Sequence, residues 1–361
     1  MDTEDSFYRF QKLTLNLTNR CNLRCAMCMA CLGERRELPR EQAFGAVDFG
    51  ERRGFKEIEF TGGEPTLVDY FAELLDRVAH VNARVRVTTN GYRLSDAHIR
   101  QMAAHKDLEV MVSVDGIGEP HDLIRGRKGA FEATERNLRA MADAGCRLTV
   151  NTTLQAANLH QAVDVYERFK GLGLQWHCFS LVEPDVDRAA AIPPEMRRAL
   201  RQALLEIQRR SEADGNYTTL SRDIIRSYER RILYPDFIVH PGLGCTAVKH
   251  GVTVNFDGYA LPCYHYPWKR APFRHLGEHS LDEIVDSVEY RAEIEHAVGP
   301  GGCHGCSTAC YLWDDGFFRK SVYPPIRLRM ECAWLGFRLH VRSRYPRAFR
   351  AISAAKRALL R

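Results

Sequence analysis

An α/β fold, a partial (β/α)6 barrel followed by a small cysteine-rich α+β region, is the architecture this sequence predicts. Three observations carry it. Short β-rich runs alternate with amphipathic helical stretches from residue 12 to about residue 183, the periodicity loosens after residue 215, and ten of the twelve cysteines gather in two groups, Cys21 to Cys31 and Cys245 to Cys332. Strict alternation implies a parallel sheet with right-handed crossovers. Six strand–helix units are too few for a closed eight-stranded barrel, so the barrel is expected to be open.

The first strand is read in KLTLNLT (12–18), where Thr14, Asn16 and Thr18 share one face and Leu13, Leu15 and Leu17 the other. Helical stretches at 39–53, 69–80 and 95–105 lead to EIEFTGG (57–63), ARVRVTTN (83–90) and LEVMVSVD (108–115). Those at 129–144 and 158–171 flank RLTVNTTL (147–154) and precede LQWHCFSLV (174–182), with Gly145 and Gly171 placed as left-handed helix caps. Polar residues share faces again at Glu57, Glu59 and Thr61, at Arg86, Thr88 and Asn90, and at Gln175 and His177. Strands buried on both sides normally read as nearly continuous Val, Ile and Leu. The polar faces therefore predict either a wet concavity inside the barrel or a packed lumen that tolerates hydrogen-bonded groups.

A long helix at 193–215, opened by two prolines, closes the first domain, 1–215. In the second, 216–335, the hairpin VTVNFDGYALPC (252–263) turns at Asp-Gly. Glycines, prolines and cysteines around it leave little room for a hydrophobic core, so metal is expected to hold this region together. Residues 336–361 form a basic helical tail.

The net charge of +5 owes much to that tail, and a near-neutral body argues against a nucleic-acid partner. The tail itself reads as a solvated helix or as a weak peripheral contact with an anionic membrane. No apolar run approaches the ~18 residues needed to span a bilayer, and the start MDTEDSFYRF lacks the order of a signal peptide. A cytoplasmic location follows, and there the cysteines are read as metal ligands or redox groups rather than disulfides.

Directly after the first strand runs Cys21-Asn-Leu-Arg-Cys25-Ala-Met-Cys28. Three thiolates so close in sequence can hold three irons of a 4Fe–4S cluster and leave the fourth open to a small ligand. Parallel strands also present their active sites at their C-terminal ends. This loop resembles the signature of the radical SAM superfamily, whose TIM-like partial barrel it implies over residues 10–183. Gly62-Gly63-Glu64-Pro65 is similar to the motif that holds the amino group of S-adenosylmethionine (SAM) there. The resemblance places Ser113 and Asp115 near the ribose, Arg125 at the SAM carboxylate and Asn151 at a further SAM contact. Met27 stands where that family usually has an aromatic residue. Cys31 adds another step, read as a buried thiol, as a fourth ligand that would close the cluster, or as part of a zinc site.

Later in the chain, Cys245, Cys263, Cys303 and Cys306 resemble the ligands of the auxiliary-cluster extensions called SPASM and twitch. Cys310 and Cys332 are then spare or belong to a second, incomplete site, and structural zinc is the competing reading. Cys146 and Cys178 read as core thiols. The chemistry implied is reductive cleavage of SAM to a 5′-deoxyadenosyl radical that takes hydrogen from substrate, with electrons from a flavodoxin- or ferredoxin-type donor. An auxiliary cluster that accepts an electron points to two-electron oxidation of a small molecule by an oxidoreductase. A SPASM-type peptide maturase, forming thioether or carbon–carbon crosslinks or epimerising residues, is the alternative. About ten residues precede the first strand, so no leader-peptide domain is expected before it. An iron–sulfur electron carrier is the non-enzymatic reading, set against the GGEP turn, which a carrier does not need. His177, Glu183, Tyr264, His265 and Tyr266 are candidate proton-handling or substrate groups, or else satisfied structural residues.

Overall fold

A computed structural model describes residues 11–28, 34–182, 190–233, 247–263 and 274–298. These lie in one compact unit, Met1–Ser307; the other, Thr308–Arg361, falls outside the described residues, as does the expected basic tail. Six parallel strands form in the predicted order: β1 (Lys12–Asn16), β2 (Glu57–Thr61), β3 (Arg84–Thr89), β4 (Leu108–Ser113), β5 (Arg147–Leu154) and β6 (Trp176–Leu181). Between them run α1 (Arg40–Arg52), α2 (Phe71–Val78), α3 (Asp96–Ala104), α4 (Glu119–Arg125), α5 (Ala130–Asp143) and α6 (Ala162–Phe169). Of these, α4 was not anticipated from periodicity. It is only seven residues long, too short to show a helical repeat.

Along β2, β3, β4 and β6 buried residues alternate with more exposed ones. The buried set includes Ile58, Phe60, Val87 and Val110, which form one core with Val150 of β5 and with Phe49, Leu74, Met102, Leu138 and Phe169 of the helices. Each such side chain contributes roughly 1.5–3 kcal/mol on burial. A one-residue slip would exchange this face for a charged one, so the core fixes the register.

The opposite face carries the polar residues, and they pair across β1–β5. Lys12 Nζ lies 3.4 Å from Glu57 and also pairs with Glu59. Arg86 lies 3.1 Å from Glu57 and 3.4 Å from Glu109. Thr88 donates to Glu59 at 2.8 Å and Thr149 to Glu109 at 2.7 Å. Burial pushes the Glu59 carboxyl up, but Lys12 and Arg86 outweigh it and hold the group below the usual carboxylate range.

Helices α7 (Arg197–Asp214) and α8 (Arg222–Leu233) pack Leu200, Leu204, Ile207 and Ile225 against Tyr166, Phe179 and Leu181. Beyond them β7 (Gly251–Val254) pairs parallel to β1, and β8 (Ala260–Leu261) folds back antiparallel to β7, giving the order β6-β5-β4-β3-β2-β1-β7-β8. Two short helices follow, α9 (Leu281–Val285) and α10 (Val288–Val298). The hairpin turns at Asp257-Gly258, where Gly258 has φ +80°.

Two expectations are corrected. Gly145 is left-handed as predicted (φ +85°), but Gly173 (φ +67°), not Gly171, makes the later turn, because a 3₁₀ turn at Lys170–Leu172 extends α6. The described part of the second region also has an apolar core. Val252, Val254, Leu281, Ile284, Tyr290 and Ile294 belong to the same buried cluster as Leu13 and Phe49. The reason is topological, since β7 adds to the free edge of β1. Arg53 then reaches Asp282 and Asp286 at 2.8 and 2.5 Å. No helix among the described residues is long and apolar enough to cross a membrane.

Candidate active site

Residues 17–28 leave the C-terminal end of β1 and are gripped by backbone on two sides. On one side Gly63 N donates to Thr18 O at 2.6 Å and Glu64 N to Arg20 O at 2.8 Å. A Cβ on Gly63 would stand 2.2 Å from Arg20 O, and one on Gly62 (φ +137°) 2.4 Å from Thr18 O. Only glycine permits that approach. On the other side the last carbonyls of α4, orphaned at a helix end, accept from the loop: Arg24 N to Arg125 O at 3.1 Å and Ala26 N to Ile124 O at 3.4 Å. Gly126 (φ +64°) passes so near that its Cβ would lie 2.2 Å from Arg24 O.

The gripped loop carries Cys21, Cys25 and Cys28, all half-buried and free of disulfides. Cys21 Sγ accepts from Leu23 N at 3.4 Å and from Asn90 Nδ2 at 3.5 Å; Cys25 Sγ accepts from Arg125 Nη1 at 3.8 Å. Burial pushes the Cys25 thiol up, and the Arg125 guanidinium opposes it. Among the described residues no three His, Cys, Asp or Glu side chains converge as they would around one ion. A cubane instead takes each thiolate on a different iron. Three thiols on one loop, with N–H donors and a cation turned toward sulfur, fit a 4Fe–4S cluster.

Glu64 is fully buried and holds the ends of β2 and β3 together. Its Oε1 accepts from Thr66 Oγ1 and Thr89 Oγ1, each at 2.8 Å, and its Oε2 from Asn90 N at 2.8 Å. Burial pushes its carboxyl up in spite of these donors. Asp115, also fully buried, lies 2.7 Å from Arg125 and accepts from Thr153 N at 2.8 Å. Its own N–H donates to His121 Nδ1 at 3.1 Å, and burial pushes His121 down to about 3. Ser113 and Asn151 are register partners on β4 and β5, both half-buried.

The structure thus joins Cys21 to Glu64 through Asn90, and Cys25 to Asp115 through Arg125, at the C-terminal end of the sheet. It does not bring His177 there. That ring faces the helices, stacked on Phe179 at 4.4 Å and set 6.1 Å from Tyr166, with Nε2 3.1 Å from Thr152 Oγ1. The assumed polar face of β6 was off by one residue, and His177 is corrected to a packing residue that burial pushes down to about 3. Cys263 is half-buried after β8. Cys31, Glu183, Cys245, Tyr264, His265, Tyr266, Cys303, Cys306, Cys310 and Cys332 lie outside the described residues.

Sequence reasoning gave no site role to Asn90, His121 or Asn158. Asn90 had a signal, since it ends a polar strand face next to a glycine. Asn158 had none, yet its Nδ2 clamps Asp115 O at 2.8 Å and Thr153 O at 2.9 Å.

Residues 15–169 match the radical SAM superfamily, and residues 245–310 match SPASM, an iron–sulfur cluster-binding domain. Over 75% of its length the chain is 27% identical to the sporulation killing factor maturation protein SkfB of Bacillus subtilis, and it spans 63% of that protein. It is 25% identical to an AdoMet-dependent heme synthase of Methanosarcina barkeri, over 85% of this chain and 94% of that one. Streptococcus suis SuiB bound to SAM shares the fold at a TM-score of 0.65, with 15% identity over 80% of this chain and 68% of SuiB. The radical SAM match implies a 4Fe–4S cluster and SAM on residues 15–169, and the SPASM match an auxiliary iron–sulfur site on residues 245–310. The gripped cysteine loop, the sheet that presents it and the matched residues agree: the chain is an enzyme of the radical SAM superfamily with a SPASM domain.

Proposed function

We propose that this enzyme abstracts hydrogen from a peptide and leaves the peptide covalently modified. One observation carries the reading: the similarity to SkfB, a maturation protein, runs over 276 residues, too long to be the barrel alone. When bound, the cluster supplies an electron that splits SAM into methionine and a 5′-deoxyadenosyl radical able to take hydrogen from substrate.

The chain's own residues bind and orient. Cys21, Cys25 and Cys28 hold three irons, while the Gly62-Gly63-Glu64 turn takes the SAM amino group and Arg125 its carboxylate. Ser113 and Asp115 take the sugar side, and Asn151 makes a further SAM contact. The adjacency of Ser113 and Asn151 on half-buried faces supports this assignment, as does the place of Arg125 between Cys25 and Asp115. Holding these groups in one geometry is what sets the substrate hydrogen beside the reacting carbon. In the second region Cys245, Cys263, Cys303 and Cys306 hold the auxiliary cluster, and a flavodoxin or ferredoxin delivers electrons.

Protein reconstituted without oxygen, reduced with dithionite and given SAM, is expected to release methionine and 5′-deoxyadenosine. With a deuterated peptide encoded beside its gene, deuterium is expected in the 5′-deoxyadenosine. Unlabelled 5′-deoxyadenosine and a peptide of unchanged mass would reject the reading. Small-molecule oxidation is favoured by one fact, that the heme synthase match covers 94% of that protein. Deuterium that passes into 5′-deoxyadenosine from a labelled small molecule, and not from the peptide, in the same assay would favour this second reading.

A further inference from the structure

We propose that Asn90 is a positioning residue that sets the reduction potential of the cluster on Cys21, by donating a side-chain N–H to that sulfur. The inference rests on Cys21 being a cluster ligand. Asn90 follows β3 directly and is 8% exposed. Each of its polar groups is engaged. Its N–H donates to Glu64 Oε2 at 2.8 Å, its carbonyl accepts from Thr134 Oγ1 at 3.1 Å, and its Oδ1 accepts from Tyr92 N at 2.8 Å.

The contact with Tyr92 decides which way the amide points, since only the oxygen accepts an N–H. The Nδ2 group is left facing Cys21 Sγ at 3.5 Å and Asn22 Oδ1 at 2.8 Å, one hydrogen for each. The backbone behind it is equally fixed. Gly91 has φ +67° with Val112 Cγ1 3.0 Å from where a Cβ would sit, and Asn137 Nδ2 donates to Gly91 O at 2.8 Å.

A hydrogen bond to sulfur is stronger when the cluster carries the added electron, so this donor favours the reduced state and raises the potential. The amide has no charge to lose, so its contribution does not vary with pH. Glu64, fully buried on the far side, keeps Asn90 in place and so acts on the cluster through it.

The test is a redox titration of the holoenzyme, followed on the EPR signal that SAM perturbs. Asn90→Ser is expected to bind iron and sulfide as the wild type does, and its reduced-to-oxidised ratio at a fixed poise is expected to fall about tenfold, a shift of ~59 mV for a one-electron couple. Thr134→Val removes a bond to the Asn90 carbonyl and leaves the amide, so its potential is expected to stay. An unshifted Asn90→Ser, or an equal shift in Thr134→Val, overturns the inference. Should Asn90→Ser bind no cluster, pulsed EPR on Asn22→Ala holoenzyme with ¹⁵N in its asparagine side-chain amides decides. Coupling to the SAM-responsive cluster supports the proposal, and no coupling overturns it. A wild-type signal indifferent to SAM is a separate result, which removes the Cys21 assignment together with this inference.

Discussion

At the N-terminal end of the sheet, Lys12, Glu57, Glu59, Arg86 and Glu109 pair with one another across four strands. At the C-terminal end, Asn90 and Arg125 turn toward sulfur, and Arg125 keeps only Asp115 as its ion-pair partner among the described residues. Both ends are polar and largely screened from solvent, yet they differ in what the charges face. In the first set partners are shared, Glu57 meeting Lys12, Arg84 and Arg86 and Arg86 meeting both Glu57 and Glu109, and the network behaves as structure. In the second, a single buried pair stands beside a ligand loop that three glycines hold at close quarters. Redundancy of partners separates the scaffold from the site.

The comparison is broken most severely by Cys21→Ala, for which methionine release from SAM is expected to drop to background while the folded state survives. Gly63→Ala should come next. Its methyl would meet Arg20 O at 2.2 Å, an overpacking that typically costs about 1–3 kcal/mol. Cluster content measured beside the denaturation midpoint should fall with it. Arg125→Gln and Arg86→Gln apply one change to both ends. Loss of Arg125 leaves Asp115 a buried, unpaired carboxylate, a cost of about 3–5 kcal/mol, and should slow SAM cleavage by roughly 10–100-fold. Loss of Arg86 leaves Lys12 beside Glu57 and Glu59 and Thr149 on Glu109, so SAM cleavage should change by less than about threefold, because Arg86 supplies no transition-state contact.

Acid titration sharpens the contrast further. The Glu59 carboxyl sits below its usual range in the fold, so its stabilising contribution is complete above the unfolded value of about 4.3. It declines as the pH falls through the lower folded value. Denaturation of Glu59→Gln should therefore differ from wild type at pH 7 and converge on it in strong acid. The smallest effect is expected of His177→Phe, with SAM cleavage within about twofold of wild type, because a packing residue away from the site supplies no transition-state contact. A large loss would return His177 to the catalytic candidates.

Much of this was legible in the sequence because backbone periodicity and close approach leave residue-level marks. Six strands and five connecting helices followed from alternation, and the Cys21–Cys28 loop and Gly62-Gly63 pair from spacing and from glycines that nothing else replaces. What stayed hidden depends on tertiary neighbours. Asn90, His121 and Asn158 are ordinary polar residues until folding brings Cys21, Asp115 and Thr153 within reach. The face of β6 was misread because polar and apolar residues there alternate weakly, and His177 passed for a lumen residue. The apolar core beneath the hairpin was missed because its partners on β1 and α1 lie more than two hundred residues away in sequence.

The account stands or falls with an iron left open for SAM on the cluster of Cys21, Cys25 and Cys28. EPR of oxygen-free, dithionite-reduced protein, recorded before and after adding SAM, addresses this directly. A cluster signal whose g-values move on adding SAM, and which disappears in Cys21→Ala, is the predicted result. A signal unaltered by SAM, or one that persists without Cys21, would contradict it.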